Sequence, residues 1–238
     1  MRLTRRRLLF TTAPGVLGIA VGCSSPNTGK PAPEPVPAAS GAVAGDWRRV
    51  AESYVSAYLL VRGGEVAVVD LGLTGATGAI EEGLKAAGAG WQSVKHIVLT
   101  HLHDDHVGGL GEVAPKVPAA IYAGEGDLAS IISPEPLKPL KDGDEVFGLQ
   151  IVATPGHTLG HISVFEPATG ILVAGDALRT ESGLAGSNPE NTADETQANQ
   201  SVRKLAALDV KAILCGHGEP LTAGAGPALK DLAATLPA

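Results

Sequence analysis

The feature that most constrains this chain is residues 100–109, with the sequence THLHDDHVGG, which hold three of its seven histidines and two aspartates. The apolar run at 96–99 predicts a buried strand, and the glycine pair predicts a turn into a short helix. The cluster therefore lies where a strand of an α/β protein ends, a common position for functional residues. Imidazole and carboxylate are ligands of Zn²⁺, Fe and Mn, so the segment predicts a metal site. A solvated polar loop is the alternative.

The spacing inside the cluster supports a shared site. His101 and His103 are two residues apart, so in extended chain both side chains can point to the same side. The following turn can bring Asp105 and His106 beside them.

Four other segments resemble parts of one known family. In chain order they are VAVVDLG at 66–72, ATPGHT at 153–158, AGD at 174–176 and CGHG at 215–218. Together with the pattern His-x-His-x-Asp-His before Gly-Gly, they resemble the metallo-β-lactamase-fold hydrolases from about Tyr54 to Leu221. The subtype that they resemble is the glyoxalase II and lactonase group. No Gly-x-Ser-x-Gly elbow, nucleotide-binding loop or dinucleotide fingerprint occurs.

The resemblance implies a site for two Zn²⁺ ions, with Fe or Mn as alternatives. The residues that match the family's ligands are His101, His103 and His157 for the first metal, Asp105, His106 and His217 for the second, and Asp176 as the bridge. It further implies that hydroxide from metal-bound water attacks a carbonyl or phosphoryl group. Asp105 could also accept a proton from that water, which makes it the candidate catalytic residue.

Several polar residues are expected to have supporting or structural roles. His161 is interpreted as a neighbour of the ligands or a packed core residue, and His96 as structural. Asp70 could orient bound imidazoles or cap a turn. Asp104 is expected to be exposed, and Cys215 to be a small buried residue rather than a nucleophile.

The segment after Asp176 is expected to form part of the pocket rim, with Arg179 and Glu181 as candidates for substrate contact. Tyr54 and Tyr58 are interpreted as core or rim residues. β-Lactamases with a thiolate ligand have cysteine where Asp176 stands, and the tyrosine typical of quorum-quenching lactonases is not found near Asp176. Only 21 residues follow His217, so the helical domain of glyoxalase II is not expected.

Residues 1–22 predict an export signal. Four arginines precede an apolar run at 8–21, which is too short to span a bilayer. The sequence TRRRLL at 4–9 resembles a twin-arginine signal, and AVGC at 20–23 resembles a lipoprotein cleavage box, although leucine is commoner than Ala20 at its first position. We therefore expect lipidation of Cys23 and a location on the extracytoplasmic face of the membrane. Secretion or a periplasmic location is the alternative.

Residues 23–45 are rich in Pro, Ala, Ser and Gly and predict a disordered tether, followed by a catalytic domain over 46–238. Without residues 1–22 the chain has 14 basic and 25 acidic side chains, a formal charge of −11. This acidity, without a stripe of Lys and Arg, argues against nucleic acid or a polyanionic substrate. The expected partner is a small-molecule substrate. If Cys23 is lipidated, Cys215 has no disulfide partner.

Periodicity predicts strands and helices in alternation along the domain. The expected strands are 48–62, 65–70, 94–100, 119–123, 144–154, 161–166, 171–174 and 212–215. The expected helices are 76–87, 125–132, a helix through 198–208 capped by Thr192 with Glu195, and 227–236, while 134–139 is expected to be loop because it holds three prolines. This α/β pattern fits the four-layer αββα sandwich that the resemblance implies.

Three functions are open at this point. The first is a dinuclear metal-dependent hydrolase of a small ester, lactone, thioester or amide. The second is a mononuclear iron oxidoreductase of the sulfur-dioxygenase kind, because two histidines and one aspartate suffice to bind iron. The third is a non-catalytic lipoprotein that binds metal or solute.

Overall fold

The structure is a computed structural model that describes residues 39–237. The expected export signal, Cys23 and most of the expected tether lie outside these residues. Within 39–237, no helix combines the length and the apolar character that crossing a membrane requires.

The first sheet contains seven strands that lie side by side in chain order. Neighbouring strands are antiparallel from β1 to β4 and parallel from β4 to β7. The strands are β1 (Gly41–Ala44), β2 (Trp47–Glu52), β3 (Val55–Arg62), β4 (Glu65–Val69), β5 (Val94–Leu99), β6 (Ala120–Gly124) and β7 (Leu137–Leu140). Because β5 and β6 are parallel, the loops that follow them leave the same edge of the sheet.

The second sheet has five strands in the order β14, β11, β10, β9, β8. They are β8 (Glu145–Val146), β9 (Leu149–Ala153), β10 (Ile162–Glu166), β11 (Ile171–Gly175) and β14 (Ala212–Cys215), and β12 (Leu178–Arg179) pairs with β13 (Ala185–Gly186) in a separate hairpin. Strand β10 is antiparallel to both β9 and β11, and β11 is parallel to β14. Strands β9, β11 and β14 therefore end at the same edge.

Helices cover the outer face of each sheet. They are α1 (Thr77–Ala86), α2 (Asp104–Val107), α3 (Leu110–Val113), α4 (Glu195–Ala206) and α5 (Ala225–Thr235). Single 3₁₀ turns occur at Trp91–Ser93, Ala114–Lys116, Leu128–Ser130 and Pro189–Asn191.

Three apolar clusters separate the layers. In β4, Val66 and Val68 pack in the cluster that includes Ile80 and Leu84 of α1. Ala67 and Val69 of the same strand belong to the cluster between the two sheets. The third cluster joins the second sheet to α4 and α5. Burial of both faces of each sheet gives the expected four-layer αββα sandwich.

Two segments expected to lack regular structure form edge strands. Residues 41–44, assigned to the tether, pair with β2 as β1, and Val43 packs against the inter-sheet cluster. The last proline before them is Pro37, so their backbone amides can donate to a partner strand. Residues 137–140 form β7 despite Pro139, because β7 pairs only with β6 and an edge strand tolerates a missing N–H.

Other boundaries differ because of local turns. Residues 48–62 are two strands separated by a turn in which Ser53 has φ 54°. Residues 144–154 are divided by Phe147 and Gly148, whose φ values of 55° and 74° suit a two-residue hairpin. The expected helix at 125–132 is only a 3₁₀ turn. Asp194, not Thr192, caps α4, and it accepts from the backbone N of Gln197 at 3.0 Å.

Candidate metal centre

The seven residues that match the family's ligands meet at the edge where the strands of both sheets end. His101, His103, Asp105 and His106 lie in the loop after β5 and in α2. His157 follows β9, Asp176 follows β11 and His217 follows β14. The convergence follows from the strand directions, since parallel partners deliver their following loops to the same edge. Within the described residues, these side chains form three overlapping groups whose geometry could hold a metal ion.

The first group contains three histidines. The Nδ1 atom of His103 lies 3.0 Å from Nε2 of His101 and 2.9 Å from Nε2 of His157. His101 and His157 are 1% and 3% exposed, whereas His103 is half-buried beside the cavity. Ligands at tetrahedral angles around zinc, with bonds of about 2.0–2.1 Å, are about 3.3 Å apart, which is close to these spacings.

The second group contains Asp105, His106 and His217, and the third, His101, His106 and Asp176, overlaps both of the others. Nε2 of His217 lies 3.3 Å from Oδ2 of Asp105, and Nε2 of His106 lies 3.9 Å from the same oxygen. Asp176 lies between the two groups, with Oδ1 3.3 Å from His106 Nε2 and Oδ2 3.2 Å from His217 Nε2 and 3.5 Å from His157 Nε2. Oδ2 of Asp176 therefore faces a histidine of each group, which places this carboxylate where it could be shared between them.

A hydrogen-bond chain from Asp70 fixes the tautomers of His101 and His106. The Asp70 carboxylate can only accept, so Nδ1–H of His106 donates to its Oδ2 at 2.8 Å. The Thr100 hydroxyl also donates to Asp70 Oδ2, at 2.8 Å, and so accepts from His101 Nδ1 at 3.0 Å. In the neutral form that binds metal, both rings therefore direct an Nε2 lone pair into the cluster. Without metal, burial lowers the pKa of His106, but the carboxylates of Asp176 and Asp70 outweigh burial and raise that pKa well above its usual value. Asp70 thus both orients imidazoles and fixes a turn, since it also accepts from the backbone N of Thr100.

A second chain fixes His157. The Thr192 hydroxyl donates to the carbonyl of Asn188 at 2.7 Å, and so it accepts from Ser187 Oγ at 2.7 Å. Ser187 in turn accepts from His157 Nδ1 at 2.8 Å, which leaves the His157 Nε2 lone pair directed at His103. His217 is oriented in the same manner, since its Nδ1 donates to the carbonyl of Tyr54 at 3.0 Å.

The donor set of the cluster fits divalent metal ions. The Nε2 atoms of His101 and His157 both face Nδ1 of His103, at 3.0 and 2.9 Å. A proton on Nδ1 could be donated to only one of them, whereas a cation would stabilise lone pairs on all three rings. His106 Nε2 and Asp176 Oδ1 are buried and have no hydrogen-bond partner. Unpaired buried polar atoms are costly, and a metal ion would satisfy both. These histidines and aspartates can bind metal ions.

His161 supports Asp176 rather than joining the donor set. Its Nε2 accepts from the backbone N of Asp176 at 3.0 Å, and its Nδ1 therefore donates to Thr154 Oγ1 at 2.8 Å. Burial and the neighbouring His157 lower the pKa of His161 to about 3, so its ring is neutral. Burial also lowers the pKa of His157, to about 4.

His217 differs because it lies beside carboxylates. Burial lowers its pKa, but hydrogen bonds to Asp105 and Asp176 outweigh that effect and raise the pKa to about 10. Without metal, the proton on its Nε2 is thus held between two carboxylates, and a bound cation would replace it.

The remaining expectations concern residues beside the cluster. Asp104 is exposed, as expected. His96 is half-buried and packs against Phe147 and Tyr122. It lies in the first half of β5, whereas the cluster follows the end of that strand. Cys215 is buried, and burial raises the pKa of its thiol to about 12, which makes it a poor nucleophile at neutral pH. Tyr58 is a core residue whose hydroxyl donates to the carbonyl of Cys215.

A cavity of about 450 Å³ opens onto the cluster. Tyr54, which stacks on His217 with ring centroids 5.8 Å apart, lies at its rim. Arg179 and Glu181 also line it, 3.5 Å apart as an ion pair, in the segment where substrate contacts were expected. The cavity places these side chains next to His103, Asp105, His157, Asp176 and His217.

Some residues that support the cluster were not identified from the sequence. Buried Arg49 donates to the carbonyl of Gly218 and to Glu219, both at 2.7 Å, and so holds the loop after His217. Ser187 lies in a loop with no recognisable pattern. Asp127 follows the parallel strand β6 and directly precedes a 3₁₀ turn. An acidic residue after a parallel strand is the sequence signal that could have identified it.

Comparison with known proteins identifies relatives of the whole domain. Residues 50–217 match the family described as the Metallo-beta-lactamase superfamily. The Probable metallo-hydrolase YflN of Bacillus subtilis (strain 168) is 29% identical over 201 residues, which cover 65% of this chain and 76% of that protein.

Solved structures show the same fold. The metallo-beta-lactamase family protein TTHA1429 from Thermus thermophilus is 29% identical, with a TM-score of 0.63 over 76% of this chain and 73% of that one. TTHA1623, solved in a di-iron-bound form, is 26% identical, with a TM-score of 0.60 over 72% of this chain and 92% of that one.

Proposed function

This chain belongs to the metallo-β-lactamase superfamily, and we propose that it is a dinuclear metal-dependent hydrolase of a small ester, lactone, thioester or amide. The observation that carries the proposal is the convergence of five imidazoles and two carboxylates in one cluster beside a cavity, with Asp176 close to histidines of both groups. Two bound divalent cations would polarise a carbonyl oxygen and lower the pKa of a water molecule towards neutrality. The residues that would hold them are His101, His103, His157, Asp105, His106, His217 and Asp176.

The chain's own side chains would supply the other requirements of hydrolysis. Asp105 is half-buried at the cavity, where its carboxylate can accept a proton from an attacking water. Its Oδ2 contacts His217 Nε2, so the same oxygen is held in a fixed position. Neutral His161 holds the backbone of Asp176, which fixes the carboxylate between the two groups.

The cavity favours a small, polar substrate. Its volume of about 450 Å³ falls within the range of small-molecule sites. Arg179 and the amides of Asn188 and Asn191 also line it and can hydrogen-bond to substrate oxygens. Tyr54, 57% exposed, offers an apolar ring at the rim. We propose these four side chains as substrate contacts.

The test is metal analysis of the purified chain together with turnover assays on chromogenic lactone, thioester, β-lactam and phosphodiester substrates. We expect about two metal ions per chain, and turnover of a lactone or thioester that a chelator removes and added metal restores. Iron should be measured beside zinc and manganese, because TTHA1623 is described in a di-iron-bound form. One iron per chain with oxygen consumption would favour the oxygenase alternative, and metal uptake without any turnover would favour a binding protein. Either result would contradict the hydrolase proposal.

We also propose that the chain is exported and anchored to the extracytoplasmic face of the membrane through lipid on Cys23, on the pattern of residues 1–23. Replacement Cys23→Ala is expected to move the protein from the membrane fraction to the soluble fraction, because the anchor would be lost. Fractionation and immunoblotting would measure this. Cys215→Ala is the matched control and should leave the protein in the membrane fraction. Unchanged membrane association of Cys23→Ala would contradict the anchor.

A further inference from the structure

Asp127 is a buried carboxylate next to the cluster but outside it. It follows β6 and is 0% exposed. Its Oδ2 accepts from the backbone N of Leu102 at 3.1 Å and from Thr158 Oγ1 at 2.6 Å. Its Oδ1 accepts from the backbone N of Gly160 at 2.7 Å. Within residues 39–237, no Lys, Arg or His side chain forms an ion pair with it.

The three partners of Asp127 belong to the loops that carry the three-histidine group. Leu102 lies between His101 and His103, in the loop after β5 of the first sheet. Thr158 directly follows His157, in the loop between β9 and β10 of the second sheet. Oδ2 of Asp127 thus accepts a hydrogen bond from each loop. One donor, Thr158, is adjacent to His157 in the chain, and the other, Leu102, lies between His101 and His103.

Close backbone packing makes this connection rigid. Gly160 lies so near Asp127 that a Cβ atom at Gly160 would overlap the backbone N of Asp127 and approach its Oδ1 to 2.7 Å. Thr158 and Asp127 are both buried, so water does not replace their hydrogen bond. Asp127 is therefore held in close contact with both loops.

We propose that Asp127 is a positioning residue for the three-histidine group, holding His101 and His103 at the correct distance from His157 for one metal ion. This inference rests on the proposed metal site. The Asp127 oxygens are occupied by three donors, so it does not itself bind the metal. Its buried negative charge, which no cationic side chain among the described residues balances, also favours a dication nearby.

Replacement Asp127→Asn keeps the size of the side chain and changes only its hydrogen-bonding capacity. All three partners donate to Asp127, whereas an asparagine amide has only one acceptor oxygen. Its NH₂ group must therefore face at least one N–H or O–H that now donates to a carboxylate oxygen. We expect the affinity of the three-histidine group for metal to fall about 10–100-fold, the range typical of residues that orient metal ligands. Thr158→Val removes one of the three bonds and should give a smaller loss.

Glu166 provides a matched control. It is also a buried carboxylate, 1% exposed, and it accepts from Trp47 Nε1 at 2.7 Å and pairs with Arg62. It lies at the end of β10 that is remote from His161 and the cluster. Glu166→Gln should lower the thermal stability of the metal-free chain, as Asp127→Asn should, without changing metal affinity.

The experiment titrates the metal-free full chain with Zn²⁺ in competition with a chromophoric chelator, and follows Co²⁺ binding by visible absorption. His103→Ala identifies which binding step belongs to the three-histidine group. We expect Asp127→Asn to weaken that step and to leave the other within about threefold of wild type, with an altered Co²⁺ spectrum. Wild-type affinity in Asp127→Asn, or an equal loss in Glu166→Gln, would overturn the positioning role. If the wild-type chain binds no metal, the proposed function itself fails, whereas two metals bound with equal affinity by wild type and Asp127→Asn would refute only the inference about Asp127.

Discussion

Replacement of Asp176 by asparagine is expected to lower kcat/KM by about 10²–10³-fold, the scale seen when one preorganised electrostatic group is lost from an active site. Its two oxygens lie 3.2–3.5 Å from His106, His157 and His217, so it is the carboxylate that both groups share. Under the proposed assignment, the amide NH₂ would direct hydrogens where a cation needs a lone pair, and the negative charge between the two proposed cations would be lost. Metal content should fall below two ions per chain, measured by elemental analysis beside the kinetic assay.

The matched control for this experiment is Asp104→Asn. Asp104 is an exposed carboxylate in the loop that holds the candidate ligands, so the same chemical change there should leave metal content and kcat/KM at wild-type values. The thermal unfolding of both metal-free variants should also be compared. Two metal ions and full activity in Asp176→Asn would contradict its assignment as the bridge.

Replacement Asp70→Asn is expected to weaken metal binding by the group that contains His106 about 10–100-fold. Asp70 accepts from the backbone N and the hydroxyl of Thr100, and its Oδ2 also accepts from His106 Nδ1. An asparagine NH₂ in the Oδ2 position would force His106 Nδ1 to accept, which moves the ring proton to Nε2 and blocks that atom as a ligand. The opposite amide orientation would instead direct NH₂ at the N–H of Thr100.

The substitution isolates this effect because the backbone tolerates it. Asp70 has φ 62°, a left-handed conformation that asparagine adopts readily. Affinity is measured by chelator competition. Asp194→Asn is the control, because Asp and Asn cap helices equally well, and α4 should be unaffected. Equal metal affinity in wild type and Asp70→Asn would show that Asp70 stabilises the turn at Thr100 but does not orient His106 for metal binding.

The family resemblance of the sequence predicted the sandwich, and the seven residues that it implies as ligands lie together in the structure. Those residues follow strands, and the strand directions of an αββα sandwich bring their loops to one edge. Contacts between loops that are distant in the sequence could not be predicted in this way. The hydrogen bonds of Asp127 join loops of the two sheets, and those of Ser187 join loops about 30 residues apart in the chain, so no local sequence pattern encodes either set. Edge strands β1 and β7 were missed because each has a single partner strand and an unusual composition.

The distribution of the cluster over both sheets has a consequence for folding. The residues at 101–106 come from the first sheet, whereas His157, Asp176 and His217 come from the second, so neither half of the sandwich contains a complete donor set. Ions that bind only the assembled chain stabilise it by mass action, by about 2.7 kcal/mol for each site at a free ion concentration 100 times the Kd. Under the proposed assignment, the catalytic ions would also act as cross-links, and the same chelator that stops turnover would loosen the docking of one sheet on the other.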